Sequence, residues 1–591
     1  MNWTTIQATG YRPEIDGVRA IAVVAVILFH MGYLPNGYLG VDVFFVISGY
    51  LITGIIYKKR KTASFSIKEF YLRRFRRITP LVLVVTTVAL LVGGFVMLPD
   101  DLENLAQSVV ATTLFSNNIL SYITIFDYWD ITNEFKPLMH TWSLGIEEQY
   151  YLFYPLIIML IPVKRKKLLV TLLSVLALLS FSLYLFESGA ATRFYLLQYR
   201  FFELAIGGIF AIILDSKIVE LKYRWLVWLV MLFILVVPPA IFPVEVALSA
   251  VVLLTTIILT TIGVESRINP VISSSGFVFI GKISFSLYMW HQVYLAYYRY
   301  TYSDELSLWS SMVLGGLILA TSILSYNFVE EPFRRGFLPN RTFMVGIVGI
   351  SLALLLPSLL LYSKAGIIRD VPELSIIYGG SENVHHNSYN DRIYKLANEF
   401  DSTNTIKVLL IGNSFARDYG NILLETKFSD QMDLSYAYSW SDLDDDNRIE
   451  NSDVILAFPL TASVYEKNKE RQYLNVDKLY CIGNKSFGTN SGLYYNYRGD
   501  DKCEQLARIR EDAITYNQVQ SAFWGPKFLD VLRYIRVDSA FVPVFTEECK
   551  FFSQDTKHLT YDGAKELAKY ISADPKHQLN RIFTSYGANR E

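Results

Sequence analysis

Apolar stretches of about twenty residues, separated by short polar breaks, fill the chain from Gly17 to Tyr362, whereas residues 363–591 mix apolar and polar positions as soluble protein does. A bilayer core about 30 Å thick takes about 20 apolar residues per helical pass. On that ruler the pattern predicts eleven spans, at 17–34, 38–57, 80–98, 148–163, 168–186, 199–214, 224–242, 244–262, 280–299, 309–329 and 342–362. The stretch 102–125 is broken by Gln107, Asn117 and Asn118 and is predicted to be a long loop or a re-entrant piece. In the C-terminal half, TIKVLLIG, DVILAF (453–458), KLYCI (478–482) and DSAFVPVF (538–545) read as strands, alternating with helical stretches such as 502–520.

Lysine and arginine set the orientation, because short basic loops stay cytoplasmic. The segment from Lys58 to Arg77 holds KKRK and RRFRR, residues 164–167 read KRKK, and Arg334, Arg335 and Arg341 follow the tenth span. Residues 98–135 carry Asp100, Asp101, Glu103, Asp127, Asp130 and Glu134 without any lysine or arginine. Eleven passes keep every basic loop on one side, with a cytoplasmic N-terminus and the C-terminal half outside. Counting 102–125 as a span would move KRKK to the outside.

The 591 residues are 52% hydrophobic and 18% charged, which argues against an ordinary soluble enzyme. A net charge of −1 gives no reason to expect nucleic acid as a partner. Cys481, Cys503 and Cys549 all lie in the C-terminal half, rule out a Cys-rich metal framework and leave room for one disulfide whose pairing stays open. The first apolar run is followed directly by another without a small-residue cleavage site, so a retained helix is expected rather than a signal peptide. His385 and His386 have no acidic or cysteine neighbours at ligand spacing, and no metal is expected.

Charges inside hydrocarbon cost at least about 2.5 kcal/mol each, so those within the spans need a partner or a task. Arg19 and His30 are eleven residues apart, which on a helix is about 1100° and a rise of about 16 Å. Both therefore line one face, a stripe suited to a long anionic thioester with phosphates at the arginine and the acyl end at the imidazole. Asp42, Glu147, Glu148, Glu203, His291, Glu330 and Glu331 add to the polar set. A carboxylate beside the imidazole would orient it as a general base or nucleophile. His140 falls in the polar outer loop and reads as structural.

DGVRAIAVVAVILFH followed by GYLGVDVFFVISGYLIT, then YLRRFRRITP, WSLGIEEQYYLFYP, ISFSLYMWH and FVEEPFRR, resembles membrane-bound acyltransferase family 3 in each motif and in their order. The resemblance covers nearly the whole membrane half. It implies a multi-helix bundle that takes an acyl group, usually acetyl, from cytoplasmic acetyl-CoA and passes it to an extracytoplasmic carbohydrate. It places the arginine and histidine of the family motif on Arg19 and His30, the arginine-rich motif on Arg73 and Arg76, and the Glu-x-x-Tyr motif on Glu148 and Tyr151. Asp42, His291 and Glu331 join them as donor-binding or relay residues. Arg73, Arg74, Arg76 and Arg77 also suit the phosphates of acyl-CoA on physical grounds.

In the C-terminal half, TIKVLLIGNSFARDYGNILLE reads as a strand, a tight turn at Gly412 and a helix just past Ser414, which exposes a hydroxyl beside helix N-terminal amides. Downstream, SQDTKHLTYDGAKELAKYI offers Asp555 and His558, where a carboxylate three residues ahead of an imidazole can fix its tautomer. These segments resemble the first and last blocks of the SGNH hydrolase superfamily, an α/β fold with a central parallel sheet. The resemblance implies Ser414 as nucleophile, His558 as base and Asp555 as its orienting acid. Asn413 stands where that family usually has Asp, and no glycine occurs between Gly420 and Gly483 to supply its second-block oxyanion donor. Gly483 and Asn484 in CIGNKSFG are the candidate oxyanion residues.

The two resemblances together divide the chain into an acyltransferase transmembrane domain at 1–340, an additional transmembrane helix at 341–362, an outer linker at 363–404 and an SGNH-like domain at 405–591. They imply an O-acetyltransferase of the bacterial cytoplasmic (inner) membrane, with the lipid bilayer and a glycan as partners. The expected acceptor is lipopolysaccharide O-antigen, with peptidoglycan or an exopolysaccharide as the alternative. A lipid or solute transporter would favour an inverted repeat, which is not evident. A sensor with a degenerate outer domain is suggested only by the missing oxyanion glycine.

Overall fold

The computed structural model describes residues 5–7, 11–124, 133–215, 217–219, 221, 223–261, 269–379, 386–401, 405–444, 447–471 and 473–588. The expectations for Asp127, Asp130 and His385 lie outside these residues, as does the side chain of His386. The chain divides into two compact units, Met1–Met97 with Asp101–Gly366, and Leu98–Asp100 with Ile367–Glu591.

The first unit is helical. Among the described residues seven helices are long and apolar enough to cross a membrane: Gly37–Lys61, Ile67–Val96, Val163–Phe186, Ala190–Leu214, Val244–Thr261, Leu308–Arg334 and Asn340–Ser363. Each coincides with an expected span. The other four expected spans are helical but depart from that description. Pro13–His30 carries Glu14, Asp16 and Arg19, and Trp142–Met159 carries Glu147 and Glu148. Arg224–Val236 is only 13 residues long. The 280–299 run is divided at Ile283 between the helices Ser275–Lys282 and Ser284–Thr301. Residues 102–125 are not an irregular loop: they lie in Pro99–Thr113 and Asn117–Thr124, helices of 15 and 8 residues, both short of a bilayer crossing.

Close backbone packing sets the middle of this unit. A Cβ on Gly49 would lie 1.8 Å from the Leu204 carbonyl oxygen, and one on Gly207 would lie 2.2 Å from that of Val46. Glycine at both positions lets the Gly40–Lys61 and Leu197–Leu214 helices touch, the device by which helices associate where lipid removes the hydrophobic drive. That approach brings Arg200 to Asp42.

The second unit is α/β. Among the described residues its sheet has five parallel strands, β1 (Ile406–Gly412), β2 (Met432–Ala437), β3 (Val454–Phe458), β4 (Leu479–Ile482) and β5 (Phe528–Leu529). The order is β2-β1-β3-β4-β5. β3 is buried along its whole length, as expected of a strand covered by helices on both faces. The expected strand at 538–545 is not in this sheet. Phe541–Pro543 pairs antiparallel with Leu506–Arg508, because Pro543 lacks the N–H a central strand needs. The expected helix at 502–520 is displaced to Glu511–Trp524, and Gly525 and Pro526 end it just before β5. Cys503 and Cys549 are joined in a disulfide, and Cys481 is free and buried in β4.

Candidate active site

In the helical unit a cavity of about 160 Å³ is lined by Arg19, Arg74 and Arg77, by Ser48, Glu147 and Tyr151, and by Ser143, Ser284 and Tyr288, with Phe44, Leu51 and Ile55 among its apolar walls. Arg19 pairs with Asp16 at 3.2 Å. Arg74 lies over the Tyr151 ring at 5.1 Å, and Glu147 accepts a 2.7 Å hydrogen bond from the Ser48 hydroxyl. Three cations on one apolar cavity suit an anionic ligand with an apolar or neutral end.

Several expected residues fall one position away from this wall. Arg73 faces outward and pairs with Glu69 at 2.5 Å. Arg76 is tied to the Leu338 carbonyl and to Asn340 Oδ1 and stacks on Phe343, a structural clamp. Glu148 does not line the cavity, whereas Glu147 does; Tyr151 lines it as expected. Glu331 is engaged by Arg334 and Arg335 at a helix end, while its neighbour Glu330 is buried and accepts from the Ser286 hydroxyl at 3.1 Å. Asp42 is held by Arg200 at 2.6 Å, and Arg200 also meets Glu203 at 3.0 Å, with all three side chains nearly inaccessible. That arrangement makes Asp42 part of a buried ion cluster.

Beside Tyr288 lies a group of three imidazoles. The rings of His30 and His291 meet edge to face with centroids 5.0 Å apart, and His140 meets His291 at 5.2 Å and Tyr288 at 5.2 Å. Among the described residues no carboxylate orients His30. Its Nδ1 donates to the Val26 carbonyl at 2.9 Å, and His291 Nδ1 donates to the Tyr288 carbonyl at 2.6 Å. Each backbone acceptor fixes a neutral tautomer with Nε2 as the basic nitrogen. His140 is buried, not exposed in a polar loop. The turn that carries it is held by Asn117, which donates to the Leu138 carbonyl and to Thr141 Oγ1, and by the Tyr288 hydroxyl, which donates to the His140 carbonyl at 2.8 Å.

The second unit brings Ser414, His558 and Asp555 together. β1 ends at Gly412, whose φ is +130°, and a Cβ there would lie 1.7 Å from the Phe458 carbonyl oxygen. Only glycine takes that backbone at that approach. Asn413 then caps the helix Ser414–Glu425, its Oδ1 accepting the Phe415 N–H at 3.0 Å. Asn413 therefore supplies the cap that the usual Asp would. The Ser414 hydroxyl lies 2.8 Å from His558 Nε2, and His558 Nδ1 contacts Asp555 Oδ2 closely. Asp555 Oδ1 accepts the backbone N–H groups of Lys557 and His558 at 2.9 and 2.7 Å. With Nδ1–H facing Asp555, Nε2 accepts the serine proton, the geometry of an activated nucleophile. Burial lowers the His558 pKa while the Asp555 charge pulls the other way.

The proposed oxyanion segment is partly occupied. The Gly483 N–H donates to the Leu529 carbonyl at 2.8 Å, and the Asn484 N–H donates to Asn517 Oδ1 at 2.7 Å. Neither backbone amide is free for an oxyanion, which leaves the Asn484 side chain and the Ser414 N–H at the helix start as donors. Arg417, Asp418 and Lys485, which are not among the expected site residues, are also buried here. The signal was adjacent opposite charges in the first turns of a helix packed on a sheet. Burial opposes ionisation of Asp418, but Lys485 and Arg417 outweigh it and draw its pKa down to about 2. Burial pushes the Cys481 thiol up to about 12, so it stays an unreactive thiol.

The profile of the acyltransferase domain family matches residues 12–362. A protein of Staphylococcus aureus (strain MRSA252) provisionally named an O-acetyltransferase is 28% identical over 71% of this chain and 76% of its own length. The peptidoglycan O-acetyltransferase OatA of Listeria monocytogenes is 31% identical over 57% of this chain and 58% of its own. The O-acetyltransferase OatA of S. aureus (strain MRSA252) is 29% identical over 60% of this chain and 63% of its own. The chain thus spans less than two thirds of either OatA protein, and the family match ends before the α/β unit. No solved structure matches the chain.

Proposed function

The chain belongs to the acyltransferase domain family, and we propose that it is a membrane O-acetyltransferase that carries acetyl from cytoplasmic acetyl-CoA to a hydroxyl of an extracytoplasmic glycan through an acetyl-serine at Ser414. The observation that carries the proposal is the Ser414, His558 and Asp555 arrangement, an acyl-accepting triad on a chain whose other unit is an acyltransferase. In this reading the bundle makes eleven passes, which include the four helices with charges, short length or a break. The α/β unit is an SGNH-like domain on the outer side.

Acetyl-CoA enters the cavity with its phosphates at Arg19, Arg74 and Arg77 and its thioester towards Ser143 and Tyr288. The basic Nε2 of His30 takes the acetyl carbon as the carbon–sulfur bond breaks and coenzyme A leaves as the thiolate. The acetyl group then leaves His30 as the neutral imidazole and passes to Ser414 Oγ, whose proton goes to His558 Nε2 and on to solvent. In the last step a sugar hydroxyl attacks the acetyl-serine. His558 takes its proton and returns it to Ser414 as the ester bond breaks.

Peptidoglycan is the acceptor this reading favours, because that glycan stands in the name of the Listeria relative. The O-antigen acceptor expected from sequence has no comparable support. Wild type, His30→Ala and Ser414→Ala, each expressed in cells lacking the gene, test the proposal through base-labile acetate on isolated peptidoglycan and polysaccharide fractions. Acetate on peptidoglycan from wild type alone is expected. Acetate confined to the polysaccharide fraction would overturn the acceptor, and full acetylation by Ser414→Ala would overturn the acetyl-serine.

A further inference from the structure

Asp418 takes no part in the triad, yet three segments converge on its carboxylate. Oδ1 accepts from Nε and Nη2 of Arg417 at 3.1 and 2.7 Å. Oδ2 accepts the Leu559 N–H at 3.0 Å and lies 2.9 Å from Lys485 Nζ. Leu559 follows His558 and Lys485 follows Asn484, so the two contacts reach the loop of the base and the loop of the candidate oxyanion donor. Asp418 sits four residues after Ser414, on the same helix face one turn on. The Lys485 ammonium also lies 3.8 Å from the centroid of the Phe415 ring, and that ring meets His558 edge-on at 6.1 Å.

The side chains of Arg417, Asp418 and Lys485 are 0%, 0% and 3% exposed. Buried ions cost several kcal/mol each before pairing, and apolar residues of similar volume hold a fold as well or better. What apolar packing cannot supply is directional bonds from one carboxylate to three chain segments.

We infer that Asp418 is a positioning residue for acyl transfer, fastening the Asn484 loop and the His558 loop to the first turns of the serine helix. The inference rests on the triad acting as the acyl-serine site. It adds a cause for the alignment of the triad's parts: His558 and Ser414 belong to segments 144 residues apart, and the carboxylate is bonded to the helix of one and to the residue beside the other.

The groups facing Asp418 are Arg417 on its own helix, Lys485 and His558 on the loops, and Tyr389 and Tyr394 of the His386–Tyr394 helix, with Asp555 facing Lys485. Its negative charge favours the protonated form of His558. Removing it leaves two cations nearby, so His558 loses its proton at lower pH.

The test is the rate at which a fluorophosphonate labels Ser414 in the purified full chain, followed by mass spectrometry from pH 5 to pH 9. The expected rate rises with pH as His558 becomes neutral. Asp418→Asn is expected to label about tenfold more slowly or worse, the scale of one lost charge-assisted hydrogen bond, with its midpoint moved to lower pH. Asp418→Asn/Lys485→Met is expected to regain part of the rate, because no ammonium is left buried without its carboxylate. A purely structural Asp418 would lower the folded fraction and leave the midpoint where it was.

Wild-type rate and midpoint in Asp418→Asn and in Lys485→Met would overturn the inference. Lys485→Met keeps Asp418 paired with Arg417 and decides the matter if Asp418→Asn does not fold. Absence of Ser414 labelling in wild type at every pH would instead remove the triad reading, and this inference with it.

Discussion

Arg200 donates to Asp42 across 2.6 Å between two helices of the membrane unit, with both side chains nearly inaccessible and Glu203 3.0 Å from the guanidinium Nε. Two buried carboxylates thus depend on one cation. Arg200→Met is expected to destabilise the bundle by about 3–5 kcal/mol. Asp42→Asn, which leaves Arg200 paired with Glu203, is expected to cost much less. Thermal unfolding in detergent compares them, and any loss of acetylation in either variant should track the loss of folded protein.

Arg74 and Arg77 line the cavity and Arg73 does not. Arg74→Ala and Arg77→Ala are each expected to raise the KM for acetyl-CoA about tenfold or more, as for a lost charge-assisted phosphate contact. Arg73→Ala should leave KM within about twofold, since an exposed pair contributes little. Steady-state kinetics in inverted membrane vesicles, with acetyl-CoA varied, decides between the two faces of this helix.

The same helix shows how much of the site was legible in the sequence. Four arginines within five residues announce an anion site, and the three-residue spacing puts Arg73 with Arg76 and Arg74 with Arg77 on two different faces. Which face meets the cavity depends on partners far along the chain, such as the tie from Arg76 to Asn340. At the tenth expected span the π-helical turn Tyr326–Glu330 shifts the register, so a helical wheel cannot choose between Glu330 and Glu331. The strand, glycine turn and serine were legible because each is local. His140 was not, because what buries it beside His291 lies some 150 residues on in sequence, at Tyr288. Asp418 and Lys485 were hidden for the same reason.

Asp418 also gives the α/β unit an acid limit. Its folded pKa of about 2 lies below the ordinary value near 3.9, so the carboxylate contributes stability that is fully present above about pH 4 and is lost as pH falls towards 2. The shift corresponds to roughly 2 kcal/mol. Apparent Tm measured between pH 5 and pH 3 should fall in wild type and fall less steeply in Asp418→Asn.

The central claim is that one acetyl group passes through the histidine of the bundle and then through Ser414. It is tested most directly by supplying isotopically labelled acetyl-CoA to the cytoplasmic face of vesicles that contain the full chain and no glycan, then analysing the peptide that carries Ser414 by mass spectrometry. The account predicts labelled acetyl on Ser414 in wild type and none in His30→Ala. Labelled acetyl on Ser414 in His30→Ala at the wild-type level, or an unacetylated Ser414 in a preparation that acetylates added glycan, would contradict it.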